Sequence, residues 1–397
     1  MRTLILYSSY LGTARASYYD DWLEAFQNCP HFEVTHRNIV PAYLKVANPS
    51  KYKNPEGSKL KRRWTPYRFL YEGYTLGYVP LMRFFTKKEL LWNLSEIPNY
   101  ELIVLLHSTN ADSMLPLSLL EPYLKRRKGK LLIFVGNEYC LMPEKLDFIK
   151  TVEADFVASQ LPENAAAWLY SDCKHSKILA IPHALNSKLY RCYQENHRRK
   201  VDVGFIGDEY SYSIGDVERT RLAEYFLEIH SKSIETRDIR MGTKVRLPRK
   251  KYVDFLNSIR CTIGAESGTY YLEKTDATQK AVDAFLSLHP RASFEEVFEQ
   301  FFKGYTNPIN GKAISSRHFE PIGTKTGQAL LEGYYNGILK ADIHYVCLKR
   351  DYSNIQDVIE RIKDRGYVQK LVDETYEYAM ESHTYAHRVL EVWKAVS

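Results

Sequence analysis

The feature that most constrains this fold is a series of short, wholly apolar segments alternating with amphipathic ones. Residues 102–106 and 131–135 are continuous apolar runs of strand length. Such strands are buried on both faces, which requires a parallel sheet covered by helices on both sides. Residues 3–8, 32–38, 156–159 and 178–181 supply further short strands. A helix over 18–28 carries Trp22, Leu23 and Phe26 on one face, and a second spans 117–127. Residues 41–80, rich in Pro, Lys and Tyr, form an irregular insertion, and a helix over 81–94 comes after it.

The pattern then restarts. Residues 191–200 are polar and charged, suited to a linker, and 201–207 form a new strand running into a glycine turn. Helices are expected at 217–230, 252–259, 294–302, 324–332, 355–364, 368–380 and 383–395, with strands at 236–241, 261–265 and 346–348. Alternation of this kind specifies α/β architecture. Two successive doubly wound, Rossmann-like domains are expected, with a cleft between them. Ligands of such sheets bind beyond the carboxyl ends of strands, beside helix starts.

The 397 residues are 45% hydrophobic, enough for two or three packed domains and too apolar for a disordered chain. No apolar run is long enough to cross a bilayer, and the N-terminus lacks the pattern of an export signal. Reduced thiols and a cytoplasmic protein are therefore expected. The six cysteines include no CxxC pair, so no zinc or iron–sulfur site is expected. Fifty-five basic against 48 acidic side chains give a net charge of +7. That mild excess suits an anionic ligand or surface. Its densest runs, 59–63 and 125–130, are either solvated segments or a membrane contact.

Candidate site residues cluster where strands end. Gly204 to Gly207 would let the backbone approach a phosphate, with Arg219 and Arg221 nearby on the next helix. Glu266, between small residues after a strand, is expected to point into the cleft. There it could orient a hydroxyl, act as a base or stabilise positive charge at an anomeric carbon. The segment Ser315 to Gly327 is the strongest. Arg317 offers a donor fork for phosphate, His318 and Glu320 come next, and Thr324, Lys325 and Thr326 would sit at a helix start. Glu320 could accept two ribose hydroxyls, so the set matches a nucleoside diphosphate. In the first half, Gly12, Ser108, Asn137 and Glu138 stand after strands and suit a hydroxyl-rich acceptor. His383 and His387 share the last helix at i, i+4 spacing, without a supporting carboxylate for a metal.

These residues resemble a known family. Ser316-Arg317-His318-Phe319-Glu320, the hydroxyl-rich stretch after it, residues 345–354 and His383-Thr384-Tyr385 with Arg388 are similar to the C-terminal part of CgeB-like, group 1 glycosyltransferases. Residues 201–207 resemble the first strand of their donor domain, and Pro182-His183-Ala184 their interdomain sequence. Residues 314–354 resemble transferases of bacterial surface-polysaccharide clusters, including capsule and lipopolysaccharide synthesis.

The resemblance implies the GT-B fold. Residues 1–185 would form the acceptor domain, 186–382 the nucleotide-sugar donor domain, and 383–397 a helix returning to the first domain. It implies a metal-independent hexosyl- or related transferase without cofactor, acting on a glycan or lipid-linked acceptor. No nucleic acid partner is expected, and a peripheral inner-membrane contact would run through 59–63. Glu266 and Glu138 would be catalytic. Gly207, Arg246, Arg317, His318, Glu320, Thr324, Lys325 and Thr326 would hold the donor, and Gly12, Ser108 and Asn137 the acceptor. The Glu-x7-Glu pair of many retaining members is absent, since Lys312 and Gln328 stand where the second carboxylate would. Stereochemistry therefore stays open at this point. A two-domain sugar-nucleotide epimerase and a non-enzymatic binder of anionic ligands are the alternatives.

Overall fold

The computed structural model describes residues 1–7, 18–38, 97–106, 115–229, 234, 236–242, 245 and 247–397. Gly12, Ser108, Arg246, the basic run at 59–63 and the segments 41–80 and 81–94 lie outside the described residues.

The first half holds strands β1 (Arg2–Tyr7), β2 (Glu33–Asn38), β3 (Leu102–Leu106), β4 (Lys130–Phe134), β5 (Phe156–Ser159) and β6 (Lys177–Ala180). All pair in parallel, in the order β2-β1-β3-β4-β5-β6. Alternate residues of one strand enter different cores, because successive side chains point to opposite faces. Ile103 and Leu105 pack with α2 (Leu115–Leu124), α3 (Met142–Thr151) and α4 (Glu163–Leu169). Leu102, Val104 and Leu106 pack instead with Trp22 and Phe26 of α1 (Tyr18–Asn28).

The second half holds β7 (Val201–Gly207), α5 (Glu218–Glu228), β8 (Arg237–Met241), α6 (Arg249–Ser258) and β9 (Ile259–Gly264). Next come a helical hairpin, α7 (Ala277–Leu288) and α8 (Phe294–Phe301), then α9 (Ser316–Gly323), β10 (Gly327–Leu331) and β11 (Val346–Leu348). Its strands are also parallel, ordered β11-β10-β9-β7-β8. Counted from each sheet's own first strand, both orders begin 2-1-3-4-5. The crossover that creates a ligand crevice thus falls between β1 and β3 in one sheet and β7 and β9 in the other.

The chain closes with α10 (Ile355–Lys363), α11 (Arg365–Ser382) and α12 (Tyr385–Val396). Tyr385, Val389, Val392 and Val396 form one stripe of α12 and enter the core of the first sheet, not the second. Each such burial is worth roughly 1.5–3 kcal/mol. Leu185 and Thr384 pair where the chain crosses between halves. The basic run at 125–130 is tied to structure. Lys125 pairs with Glu121 at 2.8 Å, Arg127 with Asp155 at 3.1 Å, and Lys130 Nζ donates to the Val396 carbonyl at 2.5 Å.

Five elements correct the sequence reading. The helix expected over 324–332 is strand β10, and the helix lies earlier, at 316–323. Helices α3, α4 and α7 have no counterpart in the sequence reading. Among the described residues no helix is long and apolar enough to cross a membrane.

Candidate functional site

A cleft of about 570 Å³ opens between the two sheets. On the second-sheet side it lies at the crossover point. Gly207 and Asp208 line it at the end of β7, and Gly264, Ala265, Ser267 and Gly268 line it at the end of β9. Gly268 has φ +90°, and a Cβ there would stand 2.1 Å from the Gly311 carbonyl oxygen, so only glycine fits this strand end.

Ser315 and Ser316 bring the start of α9 to the same cleft. The first N–H groups of a helix have no intrahelical acceptor and face outward, a natural anion site. Three arginines stand around it. Arg317 lies over the Tyr252 ring at 4.7 Å and 3.8 Å from Glu320. Arg219 stacks on Tyr210 at 3.8 Å and donates to the Asp208 carbonyl at 2.7 Å. Arg249, at the start of α6, pairs with Asp21 of α1 at 2.5 Å. Burial raises the Asp21 carboxyl to about 6, although Arg249 and Asn186 hold its charged form.

His318 lines the cleft but presents no proton to it. Ser315 N–H donates to its Nδ1 at 3.0 Å, so in the neutral ring Nε2 carries the proton, donated to the Ala265 carbonyl at 3.1 Å. Burial lowers its pKa to about 4. His318 therefore pins the start of α9 to the end of β9.

The opposite wall comes from the first half: Asn137, Glu138, Tyr139, Gln160, Leu161 and His183. Glu138 accepts from the Ser159 and Tyr170 hydroxyls, both at 2.6 Å, and from Gln160 N–H at 3.0 Å. Burial raises its pKa, and those donors oppose the rise. Lys145 donates to the Gly136 and Asn137 carbonyls at 2.8 and 3.0 Å and fixes the loop that carries Glu138. Burial, with the nearby Arg388 charge, lowers His183 to about 3, so it is neutral.

The structure thus gathers Gly207, Arg317, His318, Asn137 and Glu138 around one cleft. Other expected residues stand elsewhere. Glu266 turns away from the cleft: Tyr335 N–H donates to it at 2.6 Å, and burial raises its pKa against the Tyr335 and Tyr334 amides. Thr324, Lys325 and Thr326 stand after the end of α9 rather than opening a helix. Thr324 is fully buried; its carbonyl and the Thr326 hydroxyl accept from Arg199, the latter at 2.6 Å. Lys325 pairs with Asp373 at 2.7 Å. Glu320 lies one turn behind the helix start, buried, with Oε2 lacking a hydrogen-bond partner. Sequence reasoning missed Arg249, because its partner lies 228 residues away. The His183 of Pro-His-Ala was visible, though its place on the wall was not. Among the described residues no group of three or more His, Cys, Asp or Glu side chains is arranged to hold a metal.

No protein-family model matches the chain, and no curated protein sequence matches it. Solved structures do. The crystal structure of HepE from Anabaena in complex with UDP is 9% identical, with all of both chains covered and a TM-score of 0.51. HepE in complex with UDP-glucose (10% identical, TM-score 0.49) and T4 phage BGT in complex with its UDP-glucose substrate (9%, 0.49) are also similar over the whole of each chain. The fold is GT-B: two Rossmann-like domains facing a cleft.

Proposed function

We propose that this chain is a glycosyltransferase that moves a sugar from a nucleoside diphosphate to an acceptor hydroxyl. The observation that carries the reading is the division of the cleft. Three arginines and a helix start stand on one wall, and a buried carboxylate stands on the other. Residues 186–382 hold the donor and 1–185 the acceptor. The UDP bound by HepE supports a uridine nucleotide as the donor's leaving group.

The acceptor hydroxyl attacks the anomeric carbon, its proton passes to Glu138, and the bond from that carbon to the diphosphate breaks. Charge developing on the diphosphate is met by Arg317, Arg249, Arg219 and the N–H groups that open α9. Preorganised donors aimed at developing charge supply a large share of such catalysis. Positive side chains and a helix start suffice for a diphosphate without a metal. Glu320, buried behind the helix start 3.8 Å from Arg317, holds that guanidinium at the cleft. Glu266 acts through the Tyr334–Tyr335 turn. The resemblance of 314–354 to transferases of bacterial surface-polysaccharide clusters supports a lipid-linked or glycan acceptor of that synthesis, at the cytoplasmic face of the membrane.

Calorimetric titration with UDP, GDP, CMP, ADP and TDP, each with and without EDTA, tests the reading. Selective, EDTA-resistant binding of UDP is expected. Equal or absent binding across the set counts against a uridine nucleotide donor.

A further inference from the structure

Asn336 lies between β10 and β11 in the left-handed region, with φ 54° and ψ 23°. Asparagine is among the few side chains that tolerate this region. The carboxamide bonds in two directions. Its Oδ1 accepts from Ile314 N–H at 2.8 Å, two residues before α9 begins. Its Nδ2 donates to the Gln160 carbonyl at 3.0 Å, just past β5 in the other domain. Ile314 and Gln160 both line the cleft. The Gln160 N–H, in turn, donates to Glu138. One side chain therefore joins the loop that presents the cationic helix start to the residue whose N–H orients the opposite carboxylate.

The turn that carries Asn336 is itself held. Glu266 accepts from the Tyr335 N–H at 2.6 Å. A Cβ on Gly333 would stand 2.5 Å from Glu266 Oε2, so the turn closes tightly over that carboxylate. The Tyr335 ring meets His318 edge-on at 5.2 Å. Other ties join the halves. Arg249 meets Asp21, the Asp276 carboxylate accepts from Met142 N–H at 3.1 Å, and Lys274 pairs with Asp172 at 3.1 Å. In each of these at least one partner lies outside the cleft lining. Asn336 alone among them bonds to cleft-lining segments on both sides.

We infer that Asn336 is a positioning residue that sets the two walls of the cleft in register for transfer. This rests on the transferase reading for its kinetic consequence, while the tie between the walls can be tested without it. Transfer needs the acceptor and the anomeric carbon aligned, and a misplacement of about 1 Å can cost about a hundredfold in rate.

Asn336→Asp keeps an acceptor for Ile314 N–H and replaces the donor to Gln160 with an oxygen that repels its carbonyl. Asn336→Gly keeps the backbone conformation accessible and removes both bonds. Hydrogen exchange on the ligand-free protein reads the tie at Ile314 N–H, which donates to Asn336, and at the Gln160 and Leu161 amides, whose bonds to Glu138 and the Ser159 hydroxyl flank the carbonyl that Asn336 holds. Asn336→Asp should raise exchange at 160–161 several-fold with Ile314 still protected, and Asn336→Gly should raise both. In transfer assays both variants should lose about tenfold to a hundredfold in kcat, with KM for the donor within about twofold. Wild-type exchange at 160–161 in Asn336→Asp overturns the tie. Raised exchange with wild-type kcat overturns its positioning role. If the unaltered protein turns over no nucleotide sugar, the transferase reading fails, and the exchange result still decides whether Asn336 joins the walls.

Discussion

On the second-sheet wall of the cleft, Arg219, Arg249 and Arg317 stand around the start of α9; on the first-sheet wall stand Asn137, Glu138, Gln160 and His183. The two sheets begin with the same strand order, so topology does not account for the contrast. It comes from the segments that leave the strand ends. The second half collects cations from three helices, α5, α6 and α9, whose ends converge on one crossover point. The first half ties its polar groups inward, with three donors on the two oxygens of Glu138. One wall offers positive charge to an anion, and the other presents a carboxylate with neutral polar groups, as the proposed reading requires. Under the proposed transferase reading, two copies of one topology divide the reaction through the side chains at their strand ends and helix starts.

The sharpest test of that division is Glu138→Gln. Loss of a general base should lower kcat by about 10²- to 10⁴-fold, with UDP affinity unchanged in calorimetry. A fall in UDP affinity of similar size would place the carboxylate on the donor's side instead. Next, Arg317→Ala should weaken UDP binding by about tenfold to a hundredfold, the worth of a charge-assisted hydrogen bond. Lys325→Ala is its control and should leave that affinity alone, since Lys325 pairs with Asp373 outside the cleft. Equal losses in the two variants would erase the distinction between cleft cations and structural ones.

The smallest expected effect concerns the imidazoles, one on each wall. His183 and His318 have folded pKa values of about 3 and about 4, below the ordinary 6.5. Below pH 6.5 the unfolded chain takes up protons that the folded one refuses. The stability these neutral rings contribute is full above pH 6.5 and is lost as pH falls toward 4. Thermal melts between pH 7 and 4 should show the loss, and His183→Gln should show a shallower pH slope than the unaltered protein. An unchanged slope would assign the acid sensitivity to other groups.

Much of the fold was legible because parallel strands leave a plain trace. Leu102–Leu106 is apolar at every position and buried at every position. The error at 324–332 is equally physical. Gln328, Ala329, Leu330 and Leu331 are good helix formers. Yet β10 sits between β9 and β11 with all five residues buried, and tertiary context overrode local preference. The site was legible in part for a related reason. Arg317 and His318 share a motif with the helix start they serve. Arg249 and Asn336 meet partners 228 and 176 residues away, and no local pattern announces such a meeting.

The return of α12 to the first sheet has a consequence for how the protein is made. The core around Ile5, Val104 and Phe134 includes Tyr385, Val389, Val392 and Val396. As the chain emerges during synthesis, all six strands of the first sheet appear before any strand of the second. They then wait, one face incompletely covered, while residues 201–382 emerge and fold. The domain made first is therefore the domain finished last, and its nascent sheet keeps apolar surface open to aggregation until α12 is made.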